Sequence, residues 1–247
     1  MPLIDGLTTL WDTLLSAQPD PPPLLVVLTA VVALAVVATR LPWRIARNAV
    51  TIAHEGGHAL VALLTGRRLH GIRLHSDTSG LTLSAGRPSG PGMILTLLAG
   101  YVAPSLLGLG GAWLLAGNRI TLLLWLAVAL LLAMLLLIRN LFGALSLLVT
   151  GGVVLAVSWY TSPQVQAAFA WTSVWFLLFG GVRPVFELRR QRSRGRMPES
   201  DADQLARLTP VPPLGWVGVF LLVALGALVA GGWLLAGPIL AGAGITF

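Results

Sequence analysis

Five stretches of this chain, 21–39, 88–118, 120–138, 140–182 and 208–247, contain no Asp, Glu, Lys or Arg. A bilayer-spanning helix needs about 20 predominantly apolar residues, so each stretch can hold at least one. Charged residues make up only 10% of the chain, against about 25% in an ordinary soluble domain. Mean hydropathy is +0.85. Disorder, a coiled coil and a soluble enzyme are excluded together, and the pattern predicts an all-α polytopic membrane protein.

The formal net charge is +7, and all 16 cations are Arg. Most flank apolar runs instead of gathering on one face. They read as topology signals and contacts to the lipid bilayer, and nucleic acid is not an expected partner. Cysteine is absent, which excludes disulfides and thiolate-bound metal. Asp5, Asp12 and Asp20 lie where a cleavable signal would need an N-terminal cation, so no such signal is read.

One membrane domain over 1–247 is the simplest organisation, with about six transmembrane helices. A first span covers about 24–39 and is closed by Arg40, Arg44 and Arg47. A helix over about 48–65 ends at Gly66, a natural C-terminal cap. Residues 67–87 differ in kind. Ile72 and Leu74 alternate with Arg73 and His75, Leu81 and Leu83 alternate with Thr82 and Ser84, and turn residues lie between, which predicts a β-hairpin. Further helices are expected at about 93–116, 120–138, 140–158, 168–182 and 214–236, with an Arg-rich loop over 183–213. If 48–65 is only partly inserted, from the cytoplasmic side, every Arg except Arg119 falls inside and the 1–23 segment outside.

Two of the chain's four His residues lie in His54-Glu55-Gly56-Gly57-His58, an HExxH pattern. Residues i and i+4 share a helix face about 6 Å apart, so both imidazoles can reach one Zn²⁺. Glu55 sits on the next edge, where a carboxylate can act as general base on a water that zinc has made acidic. Charged groups in membrane helices are costly and mark function by default. Gly56 and Gly57 weaken a helix, and their use is close approach of another backbone.

The run AHEGGHALVALLTGRRLHGIRLH and the hairpin after it resemble the site-2 protease family of intramembrane zinc metalloproteases. The small bacterial branch without PDZ or CBS domains is the most similar. LAGYVAPSLLGLG at 98–110, IRNLFGAL at 138–145 and SDADQLARLT at 200–209 recur there in the same order. The resemblance implies that His54 and His58 ligate zinc and that Glu55 is the catalytic base. It also implies a bacterial inner-membrane enzyme that cleaves transmembrane or membrane-associated protein substrates.

Better-known members place the third ligand in an Asn-Pro-Asp-Gly or Leu-Asp-Gly motif, and this chain has neither. In the preferred topology Asp5, Asp12 and Asp20 fall on the wrong side. Glu187 lies among Arg residues and Asp77 at a hairpin turn. Glu199, Asp201 and Asp203 remain, and the branch-like Ser-Asp-Ala-x-x-Leu-Ala pattern selects Asp201 over Asp203. Asp201 reads equally as a helix-start residue, since Ser200 with Asp203 resembles a capping box. Asn140 is a candidate for oxyanion stabilisation or substrate positioning, with interhelical hydrogen bonding as its alternative. His70 and His75 read as surface residues of the hairpin, and Tyr101 as packing or an interfacial anchor.

The expected chemistry is peptide hydrolysis by zinc-activated water, with the active site opening to the cytoplasm. The hairpin edge could pair with an unwound substrate as an added strand. A regulatory or scaffold membrane protein that holds zinc without turnover is the first alternative. A metal-free transporter is the second.

Overall fold

The structure is a computed structural model and describes residues 16–193 and 200–242. In chain order it contains α1 (Pro23–Ala38), α2 (Arg40–Leu64), β1 (Arg68–Leu74), β2 (Gly80–Ala85), α3 (Pro91–Ala116), α4 (Ile120–Leu137), α5 (Leu141–Tyr160), α6 (Pro163–Arg192), α7 (Asp201–Leu208), α8 (Pro213–Leu235) and α9 (Gly237–Gly242). Five described helices are long and apolar enough to cross a membrane, and α1 with α2 forms a sixth candidate bent by 100°. The chain is a multi-pass, predominantly helical membrane protein with a small antiparallel sheet.

Two boundaries depart from the sequence expectation. The HExxH helix begins at Arg40, so the Arg-flanked segment after the first span is its first turns. Pro42 fits there because backbone N–H groups in a first turn have no helical acceptor. The apolar helix expected at 168–182 instead runs from Pro163 to Arg192 and includes Pro184. Much of the expected 183–213 loop is therefore helical, as the end of α6 and the whole of α7. Arg189, Arg190 and Arg192 fall in the last turn of α6, where cations complement the helix dipole.

Packing centres on α3 and α6. Gly108 of α3 meets α6 closely enough that an added Cβ would lie 3.0 Å from the Leu178 nitrogen. Val26, Leu115, Leu124, Trp171, Val174, Leu178 and Ala227 form the main apolar core between α1, α3, α4, α6 and α8. A second cluster joins Ile52 and Ala59 of α2 to Ile72 and Leu74 of β1, with Met134, Ile138 and Leu147 behind them. The hairpin is thus fixed to the bundle by its inward side chains. Its outward Leu81 and Leu83 remain exposed.

The sheet has one sealed edge. Residues 138–140 run beside β1: the Arg139 N–H donates to the Ile72 carbonyl at 2.9 Å, and Ile72 and Ile138 form a parallel bridge. Gly71, at φ +142°, permits this approach, because a side chain there would lie 3.0 Å from the Leu137 carbonyl oxygen. Among the described residues, no strand lies beyond β2.

The bend at Thr39 is held from α6. Arg183 donates to the carbonyl of Val37, at the end of α1 where the helix breaks, and to that of Thr39, which also accepts the Trp43 N–H as α2 begins. Its Nε also donates to Glu187 at 2.9 Å, and its guanidinium lies 4.8 Å from the buried Trp43 ring centre. Trp43 Nε1 donates to the same carboxylate at 2.9 Å. This cluster fixes the direction in which α2 leaves the bend, and hence where the HExxH turn lies.

Candidate metal centre

His54, Glu55 and His58 occupy adjacent turns in the middle of α2. The His54 and His58 Nε2 atoms lie 3.1 Å apart, and each is 3.3 Å from Asp201 Oδ2. The three ligand-type atoms all fall within 4.8 Å of one another, the one such His/Asp group among the described residues. Asp201 stands 143 positions from His58 in sequence, so tertiary packing must deliver it. That packing comes from α7, whose fully buried Ala202 and Leu205 sit among Leu97, Val185, Leu188, Val217 and Phe220. Anchored there, the first turn of α7 faces the His pair.

Asp203 has the other role open to this pair of carboxylates. It completes a capping box with Ser200 and also accepts from Arg192, which ties α7 back to the end of α6. Burial opposes ionisation of Asp203, but the Arg192 and Ser200 hydrogen bonds outweigh it and hold the carboxyl below the usual range. Asp201 is thereby left free of capping.

His58 Nδ1 lies 2.6 Å from the Thr96 carbonyl oxygen, which can only accept, so this nitrogen carries the proton. A neutral His58 then turns the lone pair of Nε2 towards a carboxylate oxygen, another acceptor. Two acceptors at 3.3 Å need a proton or a cation between them. Two imidazole nitrogens and one carboxylate oxygen, with the outer His58 nitrogen held by a main-chain carbonyl, form a donor set that fits a metal such as zinc.

Close packing makes room for this group. Gly57 of α2 packs against Ala99 and Ala103 of α3, and Gly100 of α3 against the two imidazoles of α2. A Cβ at Gly57 would lie 2.8 Å from the Ala99 carbonyl oxygen, and one at Gly100 only 2.5 Å from His58 Cε1 and 2.7 Å from His54 Cε1. A Cβ at Gly56 would make only an ordinary contact, 3.7 Å from the Met134 sulfur. Of the two HExxH glycines, Gly57 therefore serves the close approach. Tyr101, one residue after Gly100, lies edge-on to His54 at 4.9 Å and stacks on Phe220, a packing role.

The Glu55 side chain turns towards the hairpin. Thr82 Oγ1 donates to Glu55 Oε2 at 2.6 Å. The group opens into a cavity of about 590 Å³ whose wall includes Trp43, Arg47, Glu187 and the β2 residues Gly80, Leu81, Thr82 and Ser84.

The other carboxylates and polar candidates lie elsewhere. Asp20 accepts from Asn118 beyond the far end of α3, at 2.7 Å. Asp77 accepts from the Ser79 N–H and hydroxyl at 2.9 and 2.7 Å, which lowers its pKa and makes it a turn residue. His70 and His75 are exposed. Asp5, Asp12 and Glu199 lie outside the described residues. Asn140 is not brought to the metal group. Its amide donates to the Leu74 carbonyl at 2.6 Å and its oxygen accepts the Leu74 N–H at 3.2 Å, pairing the end of β1 like a short strand. Its partner in this structure is the hairpin main chain. Sequence reading took Gly80 and Thr82 only as hairpin residues and missed Thr96, and Gly100 had a signal only as part of the 98–110 segment.

Apolar spans packed around a partly buried His–His–carboxylate group define a membrane protein built about a candidate metal centre. A family model described as Peptidase M50B-like matches residues 27–231, and the chain belongs to that family. This bears out the site-2 protease resemblance. Membership points to a membrane metalloprotease with a resident metal, typically zinc. No curated protein and no solved structure gave a match.

Proposed function

We propose that this protein is an intramembrane zinc metalloprotease that hydrolyses peptide bonds of membrane-associated proteins, with the site opening to the cytoplasmic side of a bacterial inner membrane. The convergence of His54, His58 and Asp201 beside Glu55, in a family of metallopeptidases, carries this reading. His54 and His58 would hold the metal through Nε2 and Asp201 through Oδ2. Bound zinc supplies Lewis-acid chemistry, polarising a carbonyl and bringing the pKa of water to about 7.

Glu55 performs the proton transfers. Its carboxylate takes a proton from the attacking water and delivers it to the leaving nitrogen as the C–N bond breaks. Thr96 keeps His58 in the tautomer that leaves Nε2 available. Substrate must be extended to reach the site, because helical hydrogen bonds shield a peptide group. With β1 sealed by residues 138–140, β2 is the edge that could accept an added strand. The Arg residues at 40–47, 67–87, 139 and 183–207 support the cytoplasmic orientation.

Zinc per chain is the test, measured on detergent-purified wild type, Glu55→Gln, His58→Ala and Asp201→Ala. Near-stoichiometric zinc kept by Glu55→Gln and lost by the other two variants, with Glu55-dependent cleavage, is the expected result. Absence of zinc from every reconstituted sample would sink the reading. Zinc without cleavage would leave a metal-holding regulatory protein.

A further inference from the structure

Glu55 is 4% exposed, and a carboxylate this buried requires a donor. Among the described residues that donor is the Thr82 hydroxyl, 2.6 Å from Oε2. The same hydroxyl lies 3.2 Å from the Glu55 main-chain carbonyl, so it keeps an acceptor if the carboxylate swings away. Two residues earlier on β2, hence on the same strand face, Gly80 forms the floor under this side chain. A Cβ at Gly80 would lie 2.6 Å from Glu55 Cδ. Gly80 does not have a positive φ, so the glycine is needed there for space and not for backbone conformation. Seat and donor are thus separate features of one strand, both directed at one carboxylate.

We propose that Thr82 is the positioning residue for Glu55, with Gly80 as its seat, so that the strand offered to substrate also holds the base. This rests on the reading in which Glu55 transfers the proton. Cleavage therefore depends on where β2 lies, and a substrate strand added to β2 bears directly on the orientation of the base. Thr82 acts through Glu55 and needs no contact with the metal.

Two measurements test it. In the first, thermal stability of the purified protein is compared for wild type, Thr82→Val, Glu55→Ala and the double variant, with zinc content checked throughout. Thr82→Val is expected to lower Tm by about 3 °C or more when Glu55 is present, and by about 1 °C or less when it is Ala. Equal losses in both backgrounds would overturn the proposal.

In the second, turnover is followed on a pool of quenched-fluorescent single-span peptides in bilayer vesicles. Thr82→Val should reduce kcat about tenfold or more with KM and zinc unchanged, and Thr82→Ser should restore it. Gly80→Ala should mimic Thr82→Val. A raised KM with unchanged kcat, or failure of Ser to restore turnover, would reject the positioning role. If Glu55→Gln cleaves as well as wild type, the protease reading fails, while the stability comparison still decides whether Thr82 holds Glu55.

Discussion

Gly100 of α3 lies directly against His58 of α2, with no space for a side chain: a Cβ there would come within 2.5 Å of the imidazole Cε1. The ring can meet Asp201 only because α3 presents bare backbone at this point. Gly100→Ala should therefore displace His58 and lower zinc affinity by about 10- to 100-fold, in the range seen when support around a ligand is lost. Alanine is the better helix former, so the fold should persist. Zinc analysis with circular dichroism on the same sample checks both halves.

Asp201 and Asp203 are two residues apart and should behave differently. Asp201→Ala removes a proposed ligand and should reduce zinc affinity by about 100-fold or more, beyond the loss of an outer partner. Asp203→Ala removes the capping-box acceptor and an Arg192 partner, and should cost about 1 kcal/mol of stability with most zinc retained. Isothermal titration with zinc, paired with thermal unfolding, separates the two. Equal zinc loss in both variants would contradict the division of roles.

Asn140→Ala should loosen the hairpin without emptying the metal site. Its amide is the partner of both main-chain groups of Leu74. Hydrogen exchange is expected to accelerate across 72–85, by about 10-fold for each 1.4 kcal/mol of local stability lost. Unchanged exchange would show that the Asn140 pairing does not hold β1.

Arg183→Ala should destabilise the bend between α1 and α2. It takes a donor from the Val37 carbonyl, leaves Thr39 with the Trp43 N–H alone and leaves Glu187 with fewer partners, a loss of about 1–3 kcal/mol. For a chain of this size that is roughly 2–12 °C in Tm. Arg183→Lys should not recover it, because one ammonium cannot reproduce the fork that serves two carbonyls and a carboxylate. Full recovery with Lys would reduce the site to simple charge.

The parts legible in the sequence are those with short-range causes. His54, Glu55 and His58 are ordered by one helix, and the spacing of four alone places both imidazoles on one face. The apolar spans follow from length and the absence of charge. The hairpin follows from alternation around a turn at 76–80. Asp201 was half-visible. Its motif marked a helix start, but its approach to the His pair depends on Ala202 and Leu205 docking among three distant helices. Thr82 and Gly80 carried no signal, since Thr and Gly are common in any hairpin. The pairing of Asn140 was not legible, because its partner is the backbone of a strand 66 residues away. The start of α2 was missed because Pro42 and three Arg residues resemble an interface as much as a first turn.

The covered flank of β1 gives the hairpin a polarity. An extended segment joining this sheet can do so along β2 alone, and side chains of such a segment alternate between its two faces. Shifting it by one residue turns every side chain to the opposite face, while a shift of two restores the same pattern. Scission would then move along a polypeptide in steps of two. Products from one substrate whose ends differ by an even number of residues would be the trace of that ratchet, and products differing by single residues would show that the strand is not being read.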